Sequence, residues 1–342
     1  MKGISSTVAQ LVYSVASELL VDRDLAVFLC GASVEDHSSL RRSLKRSLLA
    51  NSTGGRRVQI YYPEDLYSQL LFDPKAADLL SLENKLATNA DAVVVVGESV
   101  GALCELGAFA NSEVLRPKLI AVMDEQYKGK RSFIMSGPIK LLARLDRQHV
   151  LYHSFRHPKP VDLASQITRT VRKLGPNWEL DVSLHNPIVS ELFCLFAAYI
   201  VNPLSLTDLI SMTRDVRVSL PTRRLALSVE HAEGEDKQMP LFTQPFSAEA
   251  PGEIPARASV TCLISHGELQ QGDGAYSLTS KGEARVEHLL GRSSAYRQLR
   301  EMLDAGRVTE MNRSLRRCAQ REGRVHWKAV RGGASPPCKA SH

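Results

Sequence analysis

Six cysteines are scattered over 342 residues, and no two of them form a C-x-x-C pair. That excludes a zinc ribbon and a small disulfide scaffold, and it predicts reduced thiols. Long apolar runs are also missing. The longest, over 192–201, is about ten residues and too short to span a bilayer. The first twenty residues carry one Lys and no small-residue cleavage site behind an apolar core, so the expectation is no signal peptide and a bacterial cytoplasmic protein. Neither Gly-x-x-x-x-Gly-Lys-Ser/Thr nor Gly-x-Gly-x-x-Gly occurs. Phosphoryl transfer and ordinary dinucleotide oxidoreduction lose weight accordingly. His37 and His153 have no spaced partners, so no metal site is assigned.

What is present is close to a soluble average: 44% apolar and 23% charged residues, enough for two or three domains. The net charge of +6 is unevenly spread. Residues 291–342 hold twelve Lys/Arg against four acids, so the other 290 residues sum to −2. A basic tail of this kind is either an electrostatic footprint for nucleic acid or a solvated end.

Hydrophobic periodicity predicts an N-terminal helix over 1–24, then apolar strands over 25–30, 58–62, 92–96 and 118–123. Helices are expected between them, over 38–49 with a basic outer face (Arg41, Arg42, Lys45, Arg46), over 79–90 and over 101–111. A further helix spans 161–173, closing a first domain at 174. Such alternation implies βαβ units and a parallel sheet, an α/β class. The second half, over 186–290, reads as helices over 186–201, 205–213 and 257–265, a hairpin turned by Gly272-Asp-Gly274, and a last helix over 283–290. That is the order of a winged-helix domain, interrupted by an acidic and Pro-rich inserted loop over 232–255. Residues 291–342 form the basic tail.

Ligands of open parallel sheets bind beyond the carboxyl ends of the strands. The residues there are Gly31-Ala-Ser33, Pro63-Glu-Asp65, Gly97 to Glu105, and Asp124-Glu125, a crevice rich in carboxylates and poor in cations. Glu105 lies in the first turns of the helix after the Val-rich strand. A carboxylate beside a crevice can attack an anomeric carbon or stabilise an oxocarbenium-like transition state. A Glu so placed can also simply complement the helix dipole. Glu64 and Asp65 fit turn capping as well as ligand binding. Tyr61 and Tyr62 point to opposite faces, one into the core and one free to stack on a base. Lys130 and Arg131 are either a phosphate contact or a solvated pair.

The segment Glu98-Ser-x-Gly-x-x-x-Glu105-Leu-Gly-Ala-Phe109 after a Val-rich strand resembles the nucleoside deoxyribosyltransferase family. The wider set resembles effector proteins encoded beside bacterial retron reverse transcriptases. It comprises Val27 to Gly31, Tyr62-Pro-Glu-Asp-Leu66, Leu79 to Asn84, Glu98-Ser-x-Gly, Glu105 to Phe109, and Lys130 to Ile134 with Gly137-Pro138. This resemblance implies a Rossmann-like deoxyribosyltransferase-type N-glycosidase domain over 25–174, fused to the winged helix. It implies Glu105 as nucleophile or oxocarbenium stabiliser. Gly31, Glu83, Glu98, Ser99, Gly101 and Asp124 become the substrate-binding residues, with Glu83 as the acid that recognises the base. The transferases usually carry an Asp before the nucleophile, where this chain has Glu98 and Ser99, which puts the sugar-hydroxyl contact in question. No cofactor is implied; NAD or a related nucleotide is the substrate. The resemblance also implies a toxic antiphage effector held in check by the reverse transcriptase and its msDNA, a DNA–RNA hybrid, with a homo-oligomer or filament within that complex. Nucleic-acid contacts are expected from Arg257, Lys281, Arg313, Arg316 and Arg317. One alternative stays open, a DNA-binding regulator whose degenerate ribosyltransferase-like domain only senses a nucleotide. Finally, Gln238-Met-Pro-Leu-Phe242 resembles the short peptides that dock in the bacterial sliding clamp, unless Leu241 and Phe242 fold back into their own domain.

Overall fold

The computed structural model describes residues 6–33, 35–50, 57–64, 87–176, 182–184, 186–216, 253–293 and 296–307. A helix α1 (Ser6–Glu18) leads to strand β1 (Leu25–Cys30), helix α2 (Leu40–Ala50) and strand β2 (Val58–Tyr61). Strand β3 (Ala92–Val96), helix α3 (Val100–Asn111) and strand β4 (Leu119–Asp124) follow, then helices α4 (Phe133–Ser136) and α5 (Pro138–Leu145), strand β5 (Val150–His153) and helix α6 (Pro160–Leu174). All five strands pair in parallel in the order β2-β1-β3-β4-β5. The four expected strands form within a residue or two of their predicted limits. The fifth, β5, and the helices α4 and α5 were not anticipated; three of the four β5 residues are only partly buried, so it lacks the solid apolar run that marked the others.

Strands β1 to β4 are buried along their whole length because both faces are covered. On one face Ala26, Phe28, Cys30, Val93, Val95, Ala121 and Met123 pack with α1, α3 and α5. On the other Leu25, Val27, Leu29, Val94, Val96, Ile120 and Val122 meet α2 and α6. Helix α6 begins at Pro160, carries Arg172 and Lys173 in its last turn and stops at Gly175, whose φ of 76° suits only glycine comfortably.

The chain then forms helix α7 (Pro187–Ile200), a short strand β6 (Leu204–Ser205), helix α8 (Leu206–Asp215), helix α9 (Glu253–Ser265), strands β7 (Leu269–Gly272) and β8 (Ala275–Leu278), and helix α10 (Ser280–Arg292). The strands pair antiparallel in the order β6-β8-β7. Asp273 and Gly274 both have positive φ, as a two-residue type I′ turn requires. Helix α7 is buried on every side from Ile188 onward, and it joins α1, the sheet and the second half in one continuous apolar cluster. Residues 296–307 form one more helical stretch, with Leu299 and Leu303 buried in that same cluster. This stretch lies within the segment expected to be a basic tail. No helix among the described residues is long and apolar enough to cross a membrane. Glu83, Asp65, the 217–252 stretch with Gln238 to Phe242, and Arg313, Arg316 and Arg317 lie outside the described residues.

Candidate active site

The strand order reverses at β1, so its carboxyl end and that of β3 border the topological switch point, where open parallel sheets bind ligands. After β1 comes Gly31. A Cβ there would lie 2.8 Å from Arg41 Cδ and 3.1 Å from Glu98 Oε1, so glycine is what lets Arg41 pass over this turn. After β3, Ser99 takes extended backbone geometry and its Oγ accepts from Ala102 N at 3.2 Å, capping α3. The same hydroxyl donates to the Gly31 carbonyl at 3.5 Å, tying the two loops together. Gly101, in the first turn of α3, is exposed, with open space where a side chain would stand.

Glu105 stands one and a half turns into α3 and is half-buried. Its Oε2 is buried with no hydrogen-bond partner among the described residues. Burial pushes its carboxyl above the ordinary glutamate value, and the Glu64 carboxylate adds to that. A hydrogen bond with the Cys30 side chain and the charge of Arg41 pull the other way without cancelling it. An unsatisfied, desolvated carboxylate oxygen at the switch point is a strong acceptor waiting for an electrophile or a donor.

Arg41 corrects the sequence reading. It was placed on a solvated basic face, yet it is 1% exposed and is the cation of the crevice. Its Nε donates to the Leu29 carbonyl at 3.1 Å and its Nη1 to the Ala32 carbonyl at 2.8 Å. Nη1 and Nη2 donate to Glu64 Oε1 and Oε2 at 2.7 and 2.6 Å. The guanidinium lies 4.3 Å from the centre of the Tyr62 ring, which Lys45 Nζ also approaches at 4.0 Å. Tyr61 and Tyr62 do take opposite faces of the sheet. Both are buried, and cations cover the Tyr62 ring that was expected to be free for a base.

Glu98 sits in the crevice, but its carboxylate has a structural task. Oε2 accepts from Leu40 N at 2.8 Å, and Oε1 accepts from Arg41 N at 3.1 Å and Ala32 N at 3.2 Å. It therefore caps the N-terminus of α2 from a distant loop. Asp124 is likewise turned to a local cap: Oδ1 accepts from Gln126 N and Oδ2 from Gln126 Nε2, each at 3.1 Å. The structure thus brings together Gly31, Arg41, Glu64, Glu98, Ser99, Gly101 and Glu105. Lys130 and Arg131 are exposed on the loop before α4.

In the second half, Arg257 is half-buried on α9. The Lys281 ammonium donates to the His266 carbonyl at the base of the hairpin. Sequence reasoning missed the buried polar network beneath this region. Arg285 Nη1 donates to Glu191 Oε1 at 2.6 Å and also to Glu268 Oε2. Cys262 Sγ donates to Glu191 Oε2 at 3.3 Å. His266 meets the open edge of β2, with its Nε2 3.0 Å from the Ile60 carbonyl and its Nδ1 2.7 Å from Gln59 Nε2. Glu191, Cys262 and His266 offer ligand atoms within 4.8 Å of one another. The guanidinium already on Glu191, and the partners on both His266 nitrogens, make this a hydrogen-bonded ion cluster rather than a cation site. A lone Glu191 in an otherwise apolar helix was the one sequence signal for it.

Comparison with known proteins gives the same assignment from outside. A family model described as "STM3845 retron effector protein" matches residues 37–233. An Escherichia coli protein named "Retron Ec86 putative ribosyltransferase/DNA-binding protein" is 28% identical over 291 residues, covering 82% of this chain and 84% of that protein. A second, named "Retron Ec73 putative ribosyltransferase/DNA-binding protein", also from Escherichia coli, is 29% identical over 207 residues, covering 54% of this chain and 65% of its own length.

Proposed function

This chain belongs to the STM3845 retron effector family, and from that premise we propose that it is an N-glycosidase which cleaves NAD or a related nucleotide through Glu105. The observation that carries this reading is the buried Glu105 Oε2 with no partner at the switch point of the sheet. Oε2 attacks C1′ of the nucleotide ribose, the C1′–N bond breaks, and the base leaves with the bonding electron pair. With NAD the nicotinamide nitrogen is cationic before cleavage, so the base departs neutral and needs no proton donor. Water then attacks the glycosyl ester at C1′ and gives its proton to solvent, which restores the carboxylate. The relatives' ribosyltransferase names support a reaction at a ribose C1′.

The relatives' names also join DNA binding to that activity. The second half supports the same pairing, because helix, short strand, two helices, hairpin and helix is the order of a winged-helix module. In this reading the cleavage is toxic and is held in check by the reverse transcriptase bound to its msDNA.

The test is base release by the purified protein from NAD and from a panel of nucleotides, beside Glu105→Gln. The isosteric amide keeps the shape and removes the nucleophile, so release falls to background and toxicity disappears at matched expression. Wild-type release by Glu105→Gln removes the enzymatic reading and leaves the nucleotide-sensing regulator.

A further inference from the structure

The crevice contains a second carboxylate that the cleavage step does not use. Glu64 follows β2 at the same end of the sheet as Glu105, near enough for its charge to act on it. Its side chain is 44% exposed, and an exposed glutamate ordinarily moves freely among rotamers. This one is locked, because both oxygens accept from the fork of Arg41. Arg41 has no room to move either, being pinned by the Leu29 and Ala32 carbonyls and by the Tyr62 ring.

Each carboxylate oxygen offers two lone pairs. Arg41 takes one on each oxygen from the buried side, and the other two face the open side of the crevice. The site therefore presents two rigid, parallel acceptors about 2.2 Å apart, the O–O spacing of any carboxylate. Two adjacent hydroxyls on neighbouring carbons are the donors that fit such a pair. C2′ is bonded to C1′, so whatever binds the ribose hydroxyls stands next to the group that acts at C1′.

We propose that Glu64 is the sugar-specificity residue of this site, accepting hydrogen bonds from the 2′- and 3′-hydroxyls of a ribose and selecting ribonucleotides over deoxynucleotides. This rests on the reading of Glu105 as the group that acts at C1′. A site built to bind a hydroxyl rejects the analogue without it, because its buried partners are left unpaired. Arg41 is the positioning residue, since it acts on the sugar only through Glu64.

The experiment measures equilibrium binding, so it does not depend on turnover. Adenosine 5′-monophosphate and its 2′-deoxy and 3′-deoxy counterparts are titrated calorimetrically into the Glu105→Gln protein, and then into the same protein also carrying Glu64→Gln or Glu64→Asp. The expected result is tighter binding of the ribonucleotide by about tenfold or more, lost in Glu64→Gln and reduced in Glu64→Asp, which keeps the charge but shortens its reach. A preference that survives Glu64→Gln overturns the assignment while leaving the glycosidase reading intact. Equal loss of affinity for all three ligands makes Glu64 a structural partner of Arg41 and overturns it as well. No binding of any of the three removes both readings together.

Discussion

Burying a carboxylate without a donor for each oxygen costs free energy that folding alone has no reason to spend. Glu105 is in that position, and two consequences follow at the scale of the residue. Its folded-state pKa is raised, so the folded protein binds the proton more tightly than the unfolded chain. The penalty is absent below 4.5, the unperturbed value, and is fully present above the raised one. Glu105→Gln removes it, and the melting temperature at pH 7 is expected to rise by about 1–3 °C while activity is lost. Differential scanning calorimetry of the two proteins checks this, and an unchanged or lower midpoint contradicts the burial argument. The second consequence is kinetic. Only the ionised carboxylate attacks C1′, so kcat/KM is expected to fall on the acid side with a midpoint above 4.5. A pH–rate profile with its acid limb at or below that value would mean that Glu105 is better solvated than its surroundings indicate.

At the scale of elements, the edge strand β2 is where the two halves meet. An unpaired edge presents carbonyls that need donors, and His266 from the C-terminal end of α9 supplies one at Ile60. Its ring also stands edge-on to Tyr61, with ring centres 6.1 Å apart. Burial lowers the His266 pKa to about 4 from an ordinary 6.5. The unfolded chain therefore binds a proton between those values that the folded protein refuses. Stability from this group is complete above pH 6.5 and is lost as pH falls towards 4. His266→Asn removes the titrating group, so the decline of melting temperature over that window becomes shallower than in the wild type. Parallel curves for the two proteins would assign the acid sensitivity to other groups. The same strand delivers Tyr61, Tyr62 and Glu64, so the second half buttresses the loop that holds the crevice.

At the scale of the whole molecule, charge and packing divide the C-terminal segment in two. Leu299 and Leu303 belong to the main core, and Arg307 donates to the Tyr199 carbonyl at 3.1 Å with its guanidinium 3.8 Å from that ring. Residues 308–342 hold eight Lys/Arg against Glu310 and Glu322, a net +6 that equals the charge of the entire chain. A protein ending at Arg307 is therefore expected to melt like the full chain but to bind a DNA–RNA hybrid more weakly, with a shallower salt dependence. A protein ending at Arg292 loses core leucines and is expected to be less stable. Fluorescence anisotropy over a salt series reads the first effect and thermal melts the second. An unchanged salt slope for the shorter protein would assign the basic residues, Arg313, Arg316 and Arg317 among them, no part in nucleic-acid binding.

Periodicity along the chain determined the α/β class, four of the five parallel strands, the helices around them and the hairpin turn, because each depends on patterns a few residues long. The motif around Glu105 likewise marked the carboxylate that now stands at the switch point. Short-range patterns carry no information about which polar side chain is folded inward. Arg41 and Lys45 lie on one helix and read alike, yet only tertiary contact with Leu29, Ala32 and Glu64 makes Arg41 a buried anchor. Glu98 reads as a crevice acid until the N-terminus of α2 arrives to claim its oxygens. Glu191, Cys262, His266, Glu268 and Arg285 span almost a hundred positions and meet only because α7, α9 and α10 pack together. The sequence determined where strands and helices form; only tertiary structure decided which charges they enclose, since ionic partners are set by distance in space and not by spacing along the chain.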